Sequence, residues 1–396
     1  MLRFRSTPTL AALVVLAACN SDSTRSGDEF VANRVVARVQ KADSRQELKL
    51  DAPLMGIHVY SALDPSRAFT MLLGGDPFGE SEMGPMLQLI VPGVLTARGY
   101  PVGSLDITAE EEMSPAEITT TLGIVVAPEP DGDDMDFFTT AGGTVDVVTA
   151  DLGSVTRPGR VQARVALDLR EFYFDREPAG YGKQATGKGS LDGPLMQSVA
   201  SDAEVAFTGA FTGSTRRDLM GGMFGEEPGL EPGVRRHWSF TVSTPGSAPR
   251  GGSFGYLSLR LGRIPATGQT VRFTMVQPDT TWGRPGPADT ASSAELQVIG
   301  PGDTPDTLSW DPPTYLSTSG ELRVESATAQ AIRGTLTLTL TEYDFRTGRL
   351  GTRTVTASGR VGLSLTDAPP FFSRAPAVRA HRAASRRTFQ LGAARR

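Results

Sequence analysis

One cysteine in 396 residues, Cys19, excludes any disulfide within the chain. Three histidines, His58, His237 and His381, stand in unrelated contexts, so spacing offers neither a His-rich metal site nor a Ser/His/Asp arrangement. The motifs G-x-S-x-G and H-E-x-x-H and a phosphate-binding glycine loop are missing. Aromatic residues make up only 7% of the chain and are irregularly placed, which disfavours a transmembrane barrel with its interfacial girdles. Sustained helical periodicity is missing as well; only Ser44 to Leu50 and Ser114 to Leu122 are expected to form short helices.

The N-terminus carries the clearest signal. Met1-Leu2-Arg3-Phe4-Arg5 supplies a positive start, and Leu10 to Ala18 an apolar run too short to cross a bilayer, the pattern of a cleavable export signal over residues 1–18. Leu16-Ala17-Ala18-Cys19 resembles the lipobox of bacterial lipoproteins. That resemblance implies cleavage before Cys19, acylation of its thiol with palmitate-like chains and acylation of the new N-terminus. The competing reading is an ordinary signal peptide that happens to contain a cysteine. Because one acyl chain binds a membrane only marginally, the two or three chains implied by the family make a durable anchor. Asn20 to Glu29 is polar and free of bulky apolar residues, so residues 19–34 read as the lipidated cysteine and a flexible tether. In lipoproteins of enteric bacteria an Asp after the cysteine retains the protein at the inner membrane; Asn20 therefore leans toward the outer membrane, on its periplasmic face or at the cell surface.

The remaining chain is long enough for two domains and rich in turn-formers, with Gly 44 and Pro 28. Period-2 runs recur: Leu87 to Val91, Val161 to Leu169, Tyr256 to Leu261, Leu322 to Val324 and, most plainly, Thr335-Leu336-Thr337-Leu338-Thr339-Leu340-Thr341. Such alternation is what a strand with one buried face requires. Trp238-Ser239-Phe240-Thr241-Val242 also reads as a strand, with His237 a structural residue beside a core Trp.

Two stretches resemble each other. Gly143 to Val147 followed by Arg160 to Phe172 matches Gly320 to Val324 followed by Arg333 to Phe345, with Arg160 laid on Arg333 and Glu171-Phe172 against Glu342-Tyr343-Asp344-Phe345. Ala185 to Gly189 follows in one copy and Ala357 to Gly362 in the other. Upstream, Leu87-Gln88-Leu89 matches Leu257-Ser258-Leu259, and Leu73 to Glu80 echoes Met220 to Glu226. The expectation is an all-β chain of two tandem, related, antiparallel β-sandwich-like units, residues 35–197 and 203–367, with a basic tail over 368–396.

Three features are candidates for chemistry. Asp131, Asp133, Asp134 and Asp136, with Gly132 among them, could bind calcium, although Met135 and the lack of a following Glu break the EF-hand pattern; the bland alternative is a solvated turn. The corresponding region of the second copy carries Asp303, Asp306 and Asp311. Trp282 and Trp310, in loops rich in Gly, Pro and polar residues, could stack on sugar rings or could cap the core. Arg374, Arg379, Arg382, Arg386, Arg387, Arg395 and Arg396 make the tail basic and leave the rest of the chain more acidic than the net charge of −5 suggests. That tail reads as an arm for anionic lipid or another polyanion, or as a plain disordered end, and nothing in it points to specific nucleic-acid recognition. No catalytic residue is assigned. The function expected is a membrane-anchored binding, adhesion or structural module with a glycan or another envelope component as partner; the alternative is a hydrolase of glycans or peptides, which requires a convergent pair of carboxylates.

Overall fold

The computed structural model describes residues 29–43, 47–75, 85–107, 118–128, 135–154, 156–173, 180–215, 223–224, 238–247, 254–275, 291–300 and 313–365. Among them there is no helix. The first set of strands comprises β1 (Arg34–Lys41), β2 (Glu47–Ser61), β3 (Ala68–Gly74), β4 (Met86–Pro92), β5 (Gly99–Pro101), β6 (Leu122–Pro128), β7 (Met135–Asp151), β8 (Gly159–Tyr173) and β9 (Gly180–Ala200). The second comprises β10 (Asp202–Gly209), β11 (Thr212–Ser214), β12 (Met223–Phe224), β13 (Trp238–Ser247), β14 (Phe254–Leu261), β15 (Thr270–Phe273), β16 (Ser293–Ile299), β17 (Thr314–Ala327), β18 (Ala331–Asp344) and β19 (Arg349–Ser364). The helix expected over Ser44 to Leu50 is overturned where it is described: Glu47 to Leu50 opens β2, and Leu48 and Leu50 fall on the buried face of an alternating run. Of Ser114 to Leu122, residues 118–122 are described, and Leu122 begins β6.

Period-2 patterning produces these strands. Val161, Ala163, Val165, Leu167 and Leu169 of β8 are buried while the residues between them are exposed or partly so. Each fully buried aliphatic side chain contributes about 1.5–3 kcal/mol relative to exposure. Both sheets curl until their ends meet. In the first, pairing runs β7–β6–β4–β3–β2–β1–β9–β8 and returns to β7; in the second it runs β17–β16–β14–β13–β11–β10–β19–β18 and returns to β17. Closure satisfies the backbone groups that open edges would leave unpaired. The interior of each ring is a sandwich-like, apolar core, with Leu72, Phe138, Val145 and Leu167 in the first and Phe211, Phe273, Tyr315 and Leu338 in the second.

The two rings share one pairing scheme. Strands β1 through β9 pair among themselves as β10, β11, β13, β14, β15, β16, β17, β18 and β19 do, except that β2 also pairs in parallel with β9, which β11 and β19 do not repeat, and β12 is the one described strand without a counterpart. Irregularities recur too. β7 and β17 each carry two register shifts, at Thr140/Gly142 and Val147/Thr149 in one and at Ser317/Ser319 and Val324/Ser326 in the other. Gly123 N donates to Thr140 Oγ1 (3.1 Å) as Ala294 N donates to Ser317 Oγ (2.9 Å).

The bulge glycines Gly143 (φ 116°) and Gly320 (φ 156°) occupy equivalent places, and a Cβ on either would strike a backbone carbonyl, of Ala166 at 2.1 Å or of Thr337 at 2.5 Å.

The register refines the sequence match. Leu87 and Leu89 are equivalent to Leu257 and Leu259, as expected, because Leu89 faces Gly123 and Leu259 faces Ala294. Arg333, however, is equivalent to Gln162 rather than Arg160, and Gly189 rather than Gly187 is equivalent to Gly359. The echo between Leu73 to Glu80 and Met220 to Glu226 is not structural: Leu73 and Gly74 end β3, whose counterpart is β13, whereas Met223 and Phe224 form β12.

A single residue, Ser201, separates the last strand of the first ring from the first strand of the second. Across this seam Ala62, Val199 and Ala331 pack together, Arg333 Nε donates to the Ala62 carbonyl, and Asp202 is buried beneath Ser61 and Arg67.

Candidate functional site

Charged residues at inward phase mark one end of the first ring. Lys41 continues the inward series Val35, Ala37 and Val39 of β1; Asp136 precedes the inward Phe138 on β7; Glu171 follows the inward Leu169 on β8. The strand register brings them together. Lys41 Nζ lies 2.6 Å from Asp136 Oδ2 and 3.3 Å from Glu171 Oε1, with side-chain exposures of 19%, 10% and 6% for Lys41, Asp136 and Glu171. Tyr173 OH donates to Glu171 Oε2, and an exposed Lys183–Asp43 ion pair lies alongside.

Burial opposes the charge on Lys41, but the two carboxylates outweigh it and hold the ammonium above its ordinary value. Burial likewise opposes ionisation of Glu171, and the Tyr173 hydroxyl with Lys41 outweighs it, so the carboxyl sits below its usual range. Lys41 and Glu171 are therefore both charged across neutral pH. A protonated lysine held between carboxylates has no free lone pair for nucleophilic attack, and a divalent cation would have to displace its ammonium from Asp136.

An aromatic wall backs the cluster on the outer side of the same strands. Phe137 meets Phe172 edge-on at 6.3 Å, Phe172 meets Tyr181 at 5.3 Å, and the Arg170 guanidinium stacks 4.3 Å above the Tyr181 ring. The Tyr181 hydroxyl donates to Asp106 Oδ1 at 2.8 Å and accepts from Ile107 N at 2.9 Å, tying the segment after β5 over this wall.

The second ring does not repeat the cluster. At the positions of Lys41, Asp136 and Glu171 it carries Gly209, Pro313 and Glu342, so only the glutamate is shared.

Of the residues singled out from sequence, Asp136 alone falls within the described structure, and it is engaged with Lys41. Asp131, Asp133 and Asp134, Trp282 and Trp310, Asp303, Asp306 and Asp311, Cys19 with the export signal, and the basic tail lie outside the described residues. No group of three or more His, Cys, Asp or Glu able to hold a metal occurs among the described residues. Lys41 and Glu171 escaped the sequence reading as a site, although a charged residue at the buried phase of an alternating strand is a usable signal.

His58 is another buried titratable group with a displaced equilibrium. Its Nδ1 lies 2.9 Å from Thr70 Oγ1, and burial pushes its pKa down to about 4, which makes it a neutral, hydrogen-bonded core residue.

No known protein family, no curated protein and no solved structure matches the chain.

Proposed function

We propose that this chain is a lipid-anchored envelope module, held to the outer membrane through Cys19, that binds or braces a partner and carries out no catalysis. The observation that carries this reading is the combination of two closed rings filled with apolar side chains and an inward pair of carboxylates that is tied up by the Lys41 ammonium. A glycan or peptide hydrolase needs one carboxyl free to give up a proton beside a second carboxylate; Asp136 and Glu171 instead share one ammonium. Ser190 Oγ donates to the Glu29 carbonyl at 3.1 Å and Arg164 stacks 5.1 Å from the Phe30 ring, so the chain is pinned to the first ring about ten residues after Cys19.

The test is metabolic labelling with a palmitate analogue and membrane fractionation of the wild type and Cys19→Ser. Wild type is expected in the membrane pellet with label, and the variant unlabelled in the soluble fraction. Equal labelling and equal pelleting of the two proteins would overturn the anchor.

A further inference from the structure

The β18–β19 hairpin turns at the rim of the second ring that lies away from the seam, since Gly362, toward its other end, stands across from the buried Asp202. It runs past its neighbours there. The last backbone bond to β19 from the β10 side is Ala210 N to the Thr354 carbonyl, and β17 is paired with β18 only as far as Tyr343. Residues 349–353 and the turn therefore extend about 17 Å beyond that bond. The turn holds its shape through its own contacts. Asp344 Oδ1 accepts from Arg346 N at 2.8 Å and Thr347 N at 3.2 Å, Gly348 N donates to the Asp344 carbonyl at 2.8 Å, and Gly348 takes φ 66°, a left-handed conformation open to glycine.

This projecting end joins apolar surface to unpaired positive charge. Phe345 and Leu350 are 40% and 43% exposed, and both adjoin Tyr343: Phe345 edge-on at 5.1 Å, Leu350 directly across the strand pair. Arg346 and Arg349 are exposed beside them and Arg353 is half-buried; none of the three forms an ion pair among the described residues. The hairpin's own acids near the tip are Glu342 and Asp344, and the Asp344 carboxylate is engaged by the N–H groups of the turn. In the first ring the pair equivalent to Tyr343 and Leu350 is Phe172 across from Tyr181, and there Leu105 and Ile107 pack over it. The same register thus gives one ring a roofed pair and leaves the other ring's pair at the surface.

We infer that the tip of the β18–β19 hairpin is a contact site for an anionic bilayer surface, with Phe345 and Leu350 entering the boundary between headgroups and acyl chains and Arg346, Arg349 and Arg353 meeting lipid phosphates. A bilayer interface is the partner that sets apolar material and negative charge side by side over a few ångströms, and large apolar side chains ringed by arginine match it. Arginine suits that depth: its stem lies along apolar surface while its planar fork reaches up to bind phosphate oxygens. The turn is already fixed by Asp344 and Gly348, so docking orders little further backbone. The inference rests on the proposed membrane location of the chain and deepens it by naming a second point of contact.

The experiment uses the mature chain from residue 19 with Cys19→Ser, which carries no lipid; Thr352→Cys then puts its one thiol on the hairpin, clear of the turn, for an environment-sensitive nitrobenzoxadiazole label. The probes are vesicles of phosphatidylcholine alone and of phosphatidylcholine with phosphatidylglycerol, each also made with brominated acyl chains that quench a buried dye. On anionic vesicles the emission is expected to rise by about threefold or more and to be quenched by the bromines, and on neutral vesicles to stay near its value in buffer. Phe345→Ser/Leu350→Ser and Arg346→Gln/Arg349→Gln are each expected to cut the rise about threefold or more, with melting temperatures within a few degrees of the parent. A label on the hairpin reads this contact and not one made by the basic tail. A silent label on anionic vesicles would overturn the inference and leave a protein as the occupant of the tip. An equal rise on neutral vesicles, or an undiminished rise in a folded variant, would overturn it as well. Each of these results leaves the Cys19 anchor standing, because palmitate labelling and fractionation read that anchor separately.

Discussion

Arg67 Nη1 donates to Asp202 Oδ2 at 2.6 Å across the seam between the rings, and the Asp202 side chain is entirely buried. Ser61 Oγ donates to the same oxygen at 2.7 Å. A charge in that position is tolerable only while its partners remain, because removing one leaves the other uncompensated in a medium that solvates it poorly. Arg67→Ala is therefore expected to destabilise the protein by about 3–5 kcal/mol. Arg34→Ala, which breaks an ion pair with Asp51 whose side chains are 40% and 59% exposed, is expected to cost at most about 1 kcal/mol. Urea denaturation separates the two; similar losses would show that burial of Asp202 does not govern the seam.

The Lys41 cluster predicts a defined pH response. Glu171 ionises more easily folded than unfolded, so its contribution to stability is present above the ordinary carboxyl value of 4.5 and disappears as pH falls through the lower folded value. Lys41 holds its proton more tightly when folded, so its contribution is present below the ordinary 10.5 and is lost as pH rises through the higher folded value. Glu171→Gln is expected to be less stable than wild type at pH 7, with the gap closing below pH 4.5. Melting temperatures measured from pH 3 to 7 check this, and a gap that stays constant to pH 3 would refute it.

His58 predicts loss of stability over a separate acid range. Its folded pKa of about 4 lies below the ordinary 6.5, so the unfolded chain binds more protons between those values and stability falls as pH drops from 6.5 toward 4. The full effect is about 3 kcal/mol at 1.4 kcal/mol per unit. Proton NMR of the imidazole should show one histidine, lost in His58→Gln, that does not titrate between pH 5 and 8. A midpoint near 6.5 for that resonance would contradict its burial.

How much of this could be read from sequence depended on the period of the signal. Alternation in Val161 to Leu169 and Thr335 to Thr341 gave strands whose buried faces were the expected ones, because a strand's side chains change face at every residue. The same period limited the repeat. A shift of two residues preserves every face, so Arg160 could be laid on Arg333 when the pairing register sets Gln162 there. Glu47 to Leu50 is rich in helix formers, which favours a helix locally, but its polar and apolar residues alternate and pairing with β1 makes it a strand. The Lys41 cluster was hidden because its members are far apart in the chain and meet only through ring closure.

The one-residue connection at Ser201 bears on how this chain can be dissected. A cut between Ala200 and Asp202 looks like a clean domain boundary by strand order, yet it would send Arg67 into one fragment and its buried aspartate into the other. Each ring made alone would thus begin life with an orphaned polar contact at its broken end, and a half that aggregates when expressed would reveal nothing about whether its ring is a sound fold.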